Sequence, residues 1–166
     1  MSLSPRTLAL LDAILYTVLT LGLAVGWHLQ VFAPRYAALG FPGPGEADIA
    51  LGFLAIATQA VVLGVLFQLV AGRVALGRTI VLFCATAFAF LWSSHVIGDA
   101  AKCGLQPKLD FIAIETFYLV LQFAIYGGAL ALVHRNLDSR CKALAELRQR
   151  QLGGRQDALF SLDLWR

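Results

Sequence analysis

Four long apolar runs constrain this chain more than any other feature of its sequence. They cover roughly residues 8–33, 49–71, 79–97 and 111–133. A helix needs about 20 mainly apolar residues to cross the hydrocarbon core of a bilayer, and each run comes close to that length or exceeds it. Charged residues make up only 14% of the chain, well below the share of a soluble domain. The sequence therefore predicts an all-α integral membrane protein, built as an antiparallel four-helix bundle.

Lysine and arginine are distributed unevenly between the two sides of the membrane that four spans define. One side has ten of the 13 basic residues: Arg6, Arg73, Arg78, Arg135, Arg140, Lys142, Arg148, Arg150, Arg155 and Arg166. The other side has Arg35, Lys102 and Lys108. Cytoplasmic loops carry the excess of basic residues in membrane proteins, so both termini are expected in the cytoplasm. The net charge of +3 reflects this distribution and does not indicate nucleic acid as a partner.

The chain becomes polar after the fourth run. Residues 1–135 form the predicted four-span domain, and residues 136–166 form a cytoplasmic tail. The tail begins with a basic amphipathic helix over residues 136–152, which Gly153 and Gly154 are expected to end. Its last segment is apolar enough to bind a partner or to fold back onto the chain, through Leu159, Phe160, Leu162, Leu164 and Trp165.

Glycine and glutamine suggest how the spans contact one another. Gly22 and Gly26 form a GxxxG motif in the first span, which permits a close approach between helices. Gln59 and Gln68 are nine residues apart in the second span, and this spacing places them on opposite faces of a helix. Each glutamine is therefore predicted to make its own interhelical hydrogen bond.

Aromatic residues flank the outer ends of the spans: Trp27, Tyr36, Phe41 and Trp92. Trp and Tyr are enriched at membrane interfaces, where an apolar ring with a polar tip is stable. We therefore expect these side chains in an interfacial belt.

Ionisable residues gather at one level near the outer side. His28 ends the first span, His95 and Asp99 end the third, and Glu115 lies little more than one turn inside the fourth. Asp99 follows His95 by four residues, so the two share a helix face. Ionisable groups are costly in hydrocarbon and mark a functional site by default. The predicted ligand or proton site consists of His28, His95, Asp99, Glu115, Tyr118 and Gln122.

Several uses of this site are compatible with the residues. The charges can simply neutralise one another, or they can bind a small solute or exchange a proton with the outer water. His28, His95, Asp99 and Glu115 can also be ligands of a divalent metal, and the two histidines can be axial ligands of a haem. The chain has no HExxH, CxxC, glycine-rich phosphate loop or set of histidine boxes, which favours a protein that is not an enzyme.

Three segments, GWHLQVFAPRYAALG, HVIGDAAK and DFIAIETFYLVLQFAIYGG, resemble a family of small four-span bacterial membrane proteins that carries only a domain-of-unknown-function label. The resemblance covers about residues 13–134 and implies a four-helix fold in the bacterial inner membrane, without a substrate or catalytic residues. The first functional expectation is a non-enzymatic accessory factor or subunit, with membrane lipid and other membrane subunits or itself as partners. The second is binding or transport of a small solute, proton or metal at the outer site, and the third is a haem or metal redox protein.

Overall fold

The structure, a computed structural model, describes residues 3–41 and 49–163. These residues are almost entirely helical and contain no strand. The helices are α1 (Pro5–Ala24), α2 (Ala33–Ala38), α3 (Ile49–Val70), α4 (Leu76–Leu91), α5 (Gly98–Lys102) and α6 (Lys108–Asp163), with π-helical turns over Val25–Val31 and Trp92–Ile97. Four helical stretches among the described residues are long and apolar enough to cross a membrane, namely Pro5–Val31, Ala50–Val70, Leu76–Lys102 and Lys108–Arg148. They match the four predicted runs and indicate a multi-pass membrane protein.

Local chemistry sets the ends of the first helices. The Ser4 side chain accepts a hydrogen bond from the Thr7 backbone N–H at 3.2 Å, and Pro5 takes the first helical position. This is a favourable way to begin a helix, because the first backbone N–H groups have no partner within it. Gly40, after α2, and Gly72, after α3, have positive φ angles, which glycine adopts without steric cost.

The tail differs from the prediction at its end. The chain divides into two compact units, one of Ser4–Ala131 and a second that includes Leu132 and the part of α6 after it. α6 continues to Asp163, so the expectation that Gly153 and Gly154 end the tail helix is wrong. A glycine inside a helix costs only about 1 kcal/mol relative to alanine, too little to end a long helix by itself. Of the apolar tail segment, Leu159, Phe160 and Leu162 fall within α6, whereas Leu164 and Trp165 lie outside the described residues.

Each long helix of the Ser4–Ala131 unit packs against two others. Aromatic pairs mark the contacts of α1 with α6, α3 with α4, and α4 with α6, at ring-centroid distances of 5.1, 5.2 and 6.5 Å: Tyr16–Tyr126, Phe67–Phe83 and Phe88–Phe123. α1 also packs along α3. All four long helices contribute buried residues to the core, and the site described below is at one end of it.

α3 approaches α1 closely at Gly64. A methyl group on Gly64 would lie 2.5 Å from the backbone oxygen of Ala9 and 3.2 Å from the backbone nitrogen of Ala13. The same methyl group on Gly22 or Gly26 would have no atom within 4 Å. The GxxxG prediction is therefore wrong for contacts within the described chain, because a glycine outside that motif makes the close approach.

Replacing Gly64 with alanine is expected to destabilise the protein by about 1–3 kcal/mol, because the methyl group collides with backbone atoms that have little room to move. Gly52→Ala is the matched control, since Gly52 lies on the same helix and has nothing within 4 Å of its added methyl group. Thermal unfolding of both variants in nanodiscs, followed by circular dichroism, measures the difference. Equal unfolding temperatures for the two variants would contradict the close contact.

Candidate functional site

His28 and His95 both lie in π-helical turns. His28 belongs to the turn Val25–Val31 that follows α1, and His95 belongs to the turn Trp92–Ile97 that follows α4. The Phe32 N–H donates to the backbone oxygen of Trp27, five residues back, at 2.9 Å. Such turns are rare, are frequent at functional sites and change the direction in which nearby side chains leave the helix. In this chain both histidines reach the same residue of α6.

That residue is Glu115, whose side chain is only 2% exposed. Its Oε1 accepts a hydrogen bond from the Tyr36 hydroxyl at 2.5 Å and lies 3.0 Å from Nε2 of His28. Its Oε2 is buried and has no hydrogen-bond partner in the described structure. The Nε2 of His95 lies 3.9 Å from this Oε2, beyond the usual length of a hydrogen bond. The carboxylate is therefore bound on one side and open on the other.

His95 connects the open side of Glu115 to the surface. Its Nδ1 lies 3.0 Å from Oδ2 of Asp99, which confirms that the two residues share a helix face. The side chains of His95 and Asp99 are 48% and 32% exposed. We call the connected set of His28, Tyr36, His95, Asp99 and Glu115 the Glu115 cluster. The cluster leads from the partly exposed side chains of His95 and Asp99 to the buried carboxylate of Glu115.

The structure places Tyr36 in this cluster and corrects the expectation of an interfacial belt. Tyr36 and Trp27 are both buried, and the indole N–H of Trp27 donates to the Tyr36 hydroxyl at 3.2 Å. Burial, followed by the neighbouring Glu115 carboxylate, raises the pKa of the Tyr36 phenol well above its usual value. The phenol therefore remains protonated and donates to Glu115. Trp92 likewise has an internal partner, since its indole N–H donates to the Thr116 hydroxyl at 2.8 Å.

Contacts of α2 and the residues after it with the start of α6 hold Tyr36 beside the carboxylate. The backbone N–H of Gln106 donates to the backbone oxygen of Leu39 at 3.2 Å. Arg35 of α2 makes an ion pair with Asp110 in the first turn of α6. These contacts fix α2 to the N-terminal end of α6, and this position brings the Tyr36 hydroxyl to Glu115.

Two other predicted site residues have different positions. Tyr118 is buried beside His28, with ring centroids 4.8 Å apart, so it lines the Glu115 cluster. Gln122 does not contact this cluster through any hydrogen bond described here. Its Nε2 donates instead to the Tyr16 hydroxyl and the Thr20 hydroxyl, both at 2.9 Å. Gln122 therefore belongs to a second group of polar residues, deeper in the helix bundle.

The geometry of the donors bears on the metal and haem interpretations. Among the described residues, no group of three or more His, Cys, Asp or Glu side chains is arranged to hold a metal ion. The Nε2 atoms of His28 and His95 are directed to the two oxygens of Glu115. The metal set of His28, His95, Asp99 and Glu115 and the haem pair of His28 and His95 stay predictions.

No family model, curated protein or solved structure matches this chain. The resemblance to small four-span bacterial membrane proteins stays a prediction.

We predict that Tyr36→Phe destabilises the protein by about 1–2 kcal/mol, because it removes a hydrogen bond to a buried carboxylate. Tyr126→Phe serves as the control, since the Tyr126 hydroxyl reaches only a backbone oxygen, that of Asp12, at 3.5 Å. Unfolding free energies in mixed detergent micelles provide the comparison. A loss at Tyr126 as large as the loss at Tyr36 would refute the importance of the Tyr36–Glu115 bond.

Proposed function

We propose that this chain is a proton-binding membrane protein, in which His95 passes a proton between water on one side of the membrane and the buried carboxylate of Glu115. One observation carries the proposal. The Oε2 of Glu115 is buried without a hydrogen-bond partner and lies 3.9 Å from Nε2 of a half-exposed histidine. A buried carboxylate oxygen without a partner is unfavourable unless a hydrogen-bond donor approaches it. His95 is the donor within reach.

The number of protons held by the buried pair of His28 and Glu115 follows from the hydrogen bonds of the two residues. Nδ1 of His28 lies 3.1 Å from the backbone oxygen of Ala24, and because a carbonyl oxygen only accepts, Nδ1 carries a proton. Nε2 of His28 and Oε1 of Glu115, 3.0 Å apart, then share one further proton. In the proposal this proton lies on Nε2 of His28, so the pair consists of an imidazolium and a carboxylate and is neutral overall. Neutrality lowers the cost of burying both groups, and it leaves Oε2 as the site for an additional proton.

The exposed pair of His95 and Asp99 supplies the additional proton for Oε2 of Glu115. Asp99 accepts from Nδ1 of His95, which orients the ring and leaves Nε2 to exchange protons with water. A small rotation of the exposed ring shortens the 3.9 Å separation to a hydrogen bond. The proton then moves from Nε2 to Oε2, so that a cationic imidazole becomes neutral and the carboxylate becomes a carboxylic acid. The groups that face Glu115 during this step are His28, Tyr36, His95 and Tyr118.

The proposal includes the arrangement in the membrane. The four long helices form an antiparallel bundle, with both termini in the cytoplasm and the Glu115 cluster toward the opposite side. The ten basic residues on the side of the termini, against three on the other side, support this orientation. His28 contacts Glu115, and Thr20 contacts Gln122. The contact residue on the first span therefore has a lower number when the one on α6 has a higher number, which supports opposite directions for α1 and α6.

The accessory-subunit hypothesis remains a separate prediction. It depends on the tail segment that contains Leu159, Phe160 and Leu162, and on partners that are membrane subunits, a second copy or lipid. The bacterial inner membrane likewise stays the predicted location, since it follows from the resemblance.

Native cysteines test the proposed orientation. In intact cells a membrane-impermeant maleimide should label Cys103, which is exposed, because it follows α5 on the predicted outer side. Cys141 should be labelled only after the cells are permeabilised. Cys103→Ser identifies the outer label by its loss. Labelling of Cys141 in intact cells, with Cys103 protected, would reverse the orientation.

Infrared spectroscopy tests the proton site. On acidification of the protein in nanodiscs, a carbonyl band of a buried carboxylic acid should appear, and Glu115→Gln should abolish it. Asp138→Asn is the control, because it removes an exposed carboxylate from the same helix at a position that does not contact the Glu115 cluster. After a pH jump, His95→Gln should slow protonation of Glu115 by about 10²-fold, the usual size of a general acid–base contribution. A band that persists in Glu115→Gln, or a rate unaffected by His95→Gln, would overturn the proposal.

A further inference from the structure

A second group of buried polar side chains lies beyond the Glu115 cluster. Nε2 of Gln122 donates to both Tyr16 and Thr20 at 2.9 Å. The Tyr16 hydroxyl in turn donates to Oε1 of Gln59 at 3.1 Å. Tyr16, Thr20 and Gln122 are all at most 4% exposed. Residues of α1, α3 and α6 thus form one hydrogen-bonded group inside the helix bundle.

A third buried group lies farther along α1. Asp12 is fully buried, and Nε2 of Gln68 donates to its Oδ2 at 2.5 Å. The rings of Tyr16 and Tyr126 pack edge to face at 5.1 Å and connect this group to the second. Both α3 glutamines therefore make the predicted interhelical hydrogen bonds, although both reach α1.

The three groups form a regular series. Asp12, Tyr16 and Thr20 are four residues apart on α1, and Glu115, Tyr118, Gln122 and Tyr126 are three or four apart on α6. Such spacings place each set on one face of its helix. The 16 residues from Asp12 to His28 correspond to about 24 Å of helix, against a hydrocarbon thickness of about 30 Å. Polar residues thus occupy successive turns over most of the membrane thickness.

Packing alone does not account for this series. A buried carboxylate at each end and an amide between them all require partners to offset desolvation. Apolar residues of similar volume would avoid that cost. Intramembrane acidic residues in series with hydroxyl groups are characteristic of proton pathways.

We propose that this polar file, defined as Glu115, Gln122, Thr20, Tyr16 and Asp12, conducts protons across the membrane, with Asp12 as the exchange site at the opposite end from His95. The inference rests on the proposed function, because the proton enters through the Glu115 cluster. Tyr16 and Thr20 pass a proton by accepting one on oxygen while releasing their own. Water molecules between the three groups carry the proton across the intervening distances, and the Gln122 amide orients the two hydroxyl groups. One proton moves and nothing is oxidised or reduced.

Proton flux into liposomes tests the inference. The full-length protein is reconstituted with an entrapped pH-sensitive dye, and a potassium gradient with valinomycin supplies the driving potential. The wild-type protein should acidify the lumen faster than protein-free liposomes do. Asp12→Asn and Tyr16→Phe should each lower the flux by about tenfold, the effect of losing one strong hydrogen-bonding step.

Two threonines provide a matched pair for the same assay. Thr20→Val removes a hydroxyl from the polar file, and we expect it to lower the flux. Thr17→Val removes a hydroxyl from the same helix that donates only to the backbone oxygen of Ala13, and we expect it to leave the flux unchanged. Unfolding temperatures identify variants that fail to fold, and the conservative Tyr16→Phe change remains informative if Asp12→Asn does fail.

The outcomes separate this inference from the proposed function. Flux that requires Tyr16, Thr20 and Asp12 but tolerates Thr17→Val supports conduction. No flux above protein-free liposomes, or equal flux in Thr17→Val and Thr20→Val, overturns it. If there is no such flux but the wild-type protein still shows the infrared band that Glu115→Gln abolishes, the proton site stands without conduction. If the band is absent as well, both proposals fall.

Discussion

The cost of burying Glu115 governs the architecture around the start of α6. A lone carboxylate in an apolar interior is unfavourable by several kcal/mol, so the surrounding helices must supply donors. They come from two places that are distant in the sequence from α6: His28, at the end of the first span, and Tyr36, in α2. Because α2 is tied to α6 by the Arg35–Asp110 pair, α2 is part of the site and not merely a link between spans.

The depth of the site along the spans is easier to predict from the sequence than the residues that belong to it. The depth of a residue follows from counting along an apolar run, so the sequence places His28, His95, Asp99 and Glu115 at one level, and in the structure their side chains lie next to one another. The direction of a side chain around the helix does not follow from counting. Gln122 shares a face with Glu115, yet it contacts a different group because α1 presents Tyr16 and Thr20 at that turn. Tyr36 was missed because an aromatic residue near a span end is equally typical of an interfacial belt.

Contacts between helices are hard to predict here for a related reason. A soluble helix shows its buried face by an apolar stripe, but a membrane helix is apolar on all sides. α3 illustrates the difficulty: Gly64 makes the close contact, while the more conspicuous motif of Gly22 and Gly26 does not. Gln59 and Gln68 leave α3 at angles half a turn apart, and their long side chains nevertheless both reach α1. The length of the glutamine side chains, and not their spacing along the helix, therefore decides these contacts.

The asymmetry of Glu115 is what connects structure with function. If the cluster only neutralised charge, the favourable arrangement would satisfy both carboxylate oxygens, since each unsatisfied buried acceptor costs about 1–3 kcal/mol. The structure instead satisfies Oε1 twice and leaves Oε2 facing a half-exposed histidine at 3.9 Å. A neutral pair of His28 and Glu115 with one open oxygen can gain a proton without losing its existing hydrogen bonds. Charge neutralisation accounts for the contacts of His28 and Tyr36 with Glu115, and the proton uptake proposed above accounts for the separation of His95 from it.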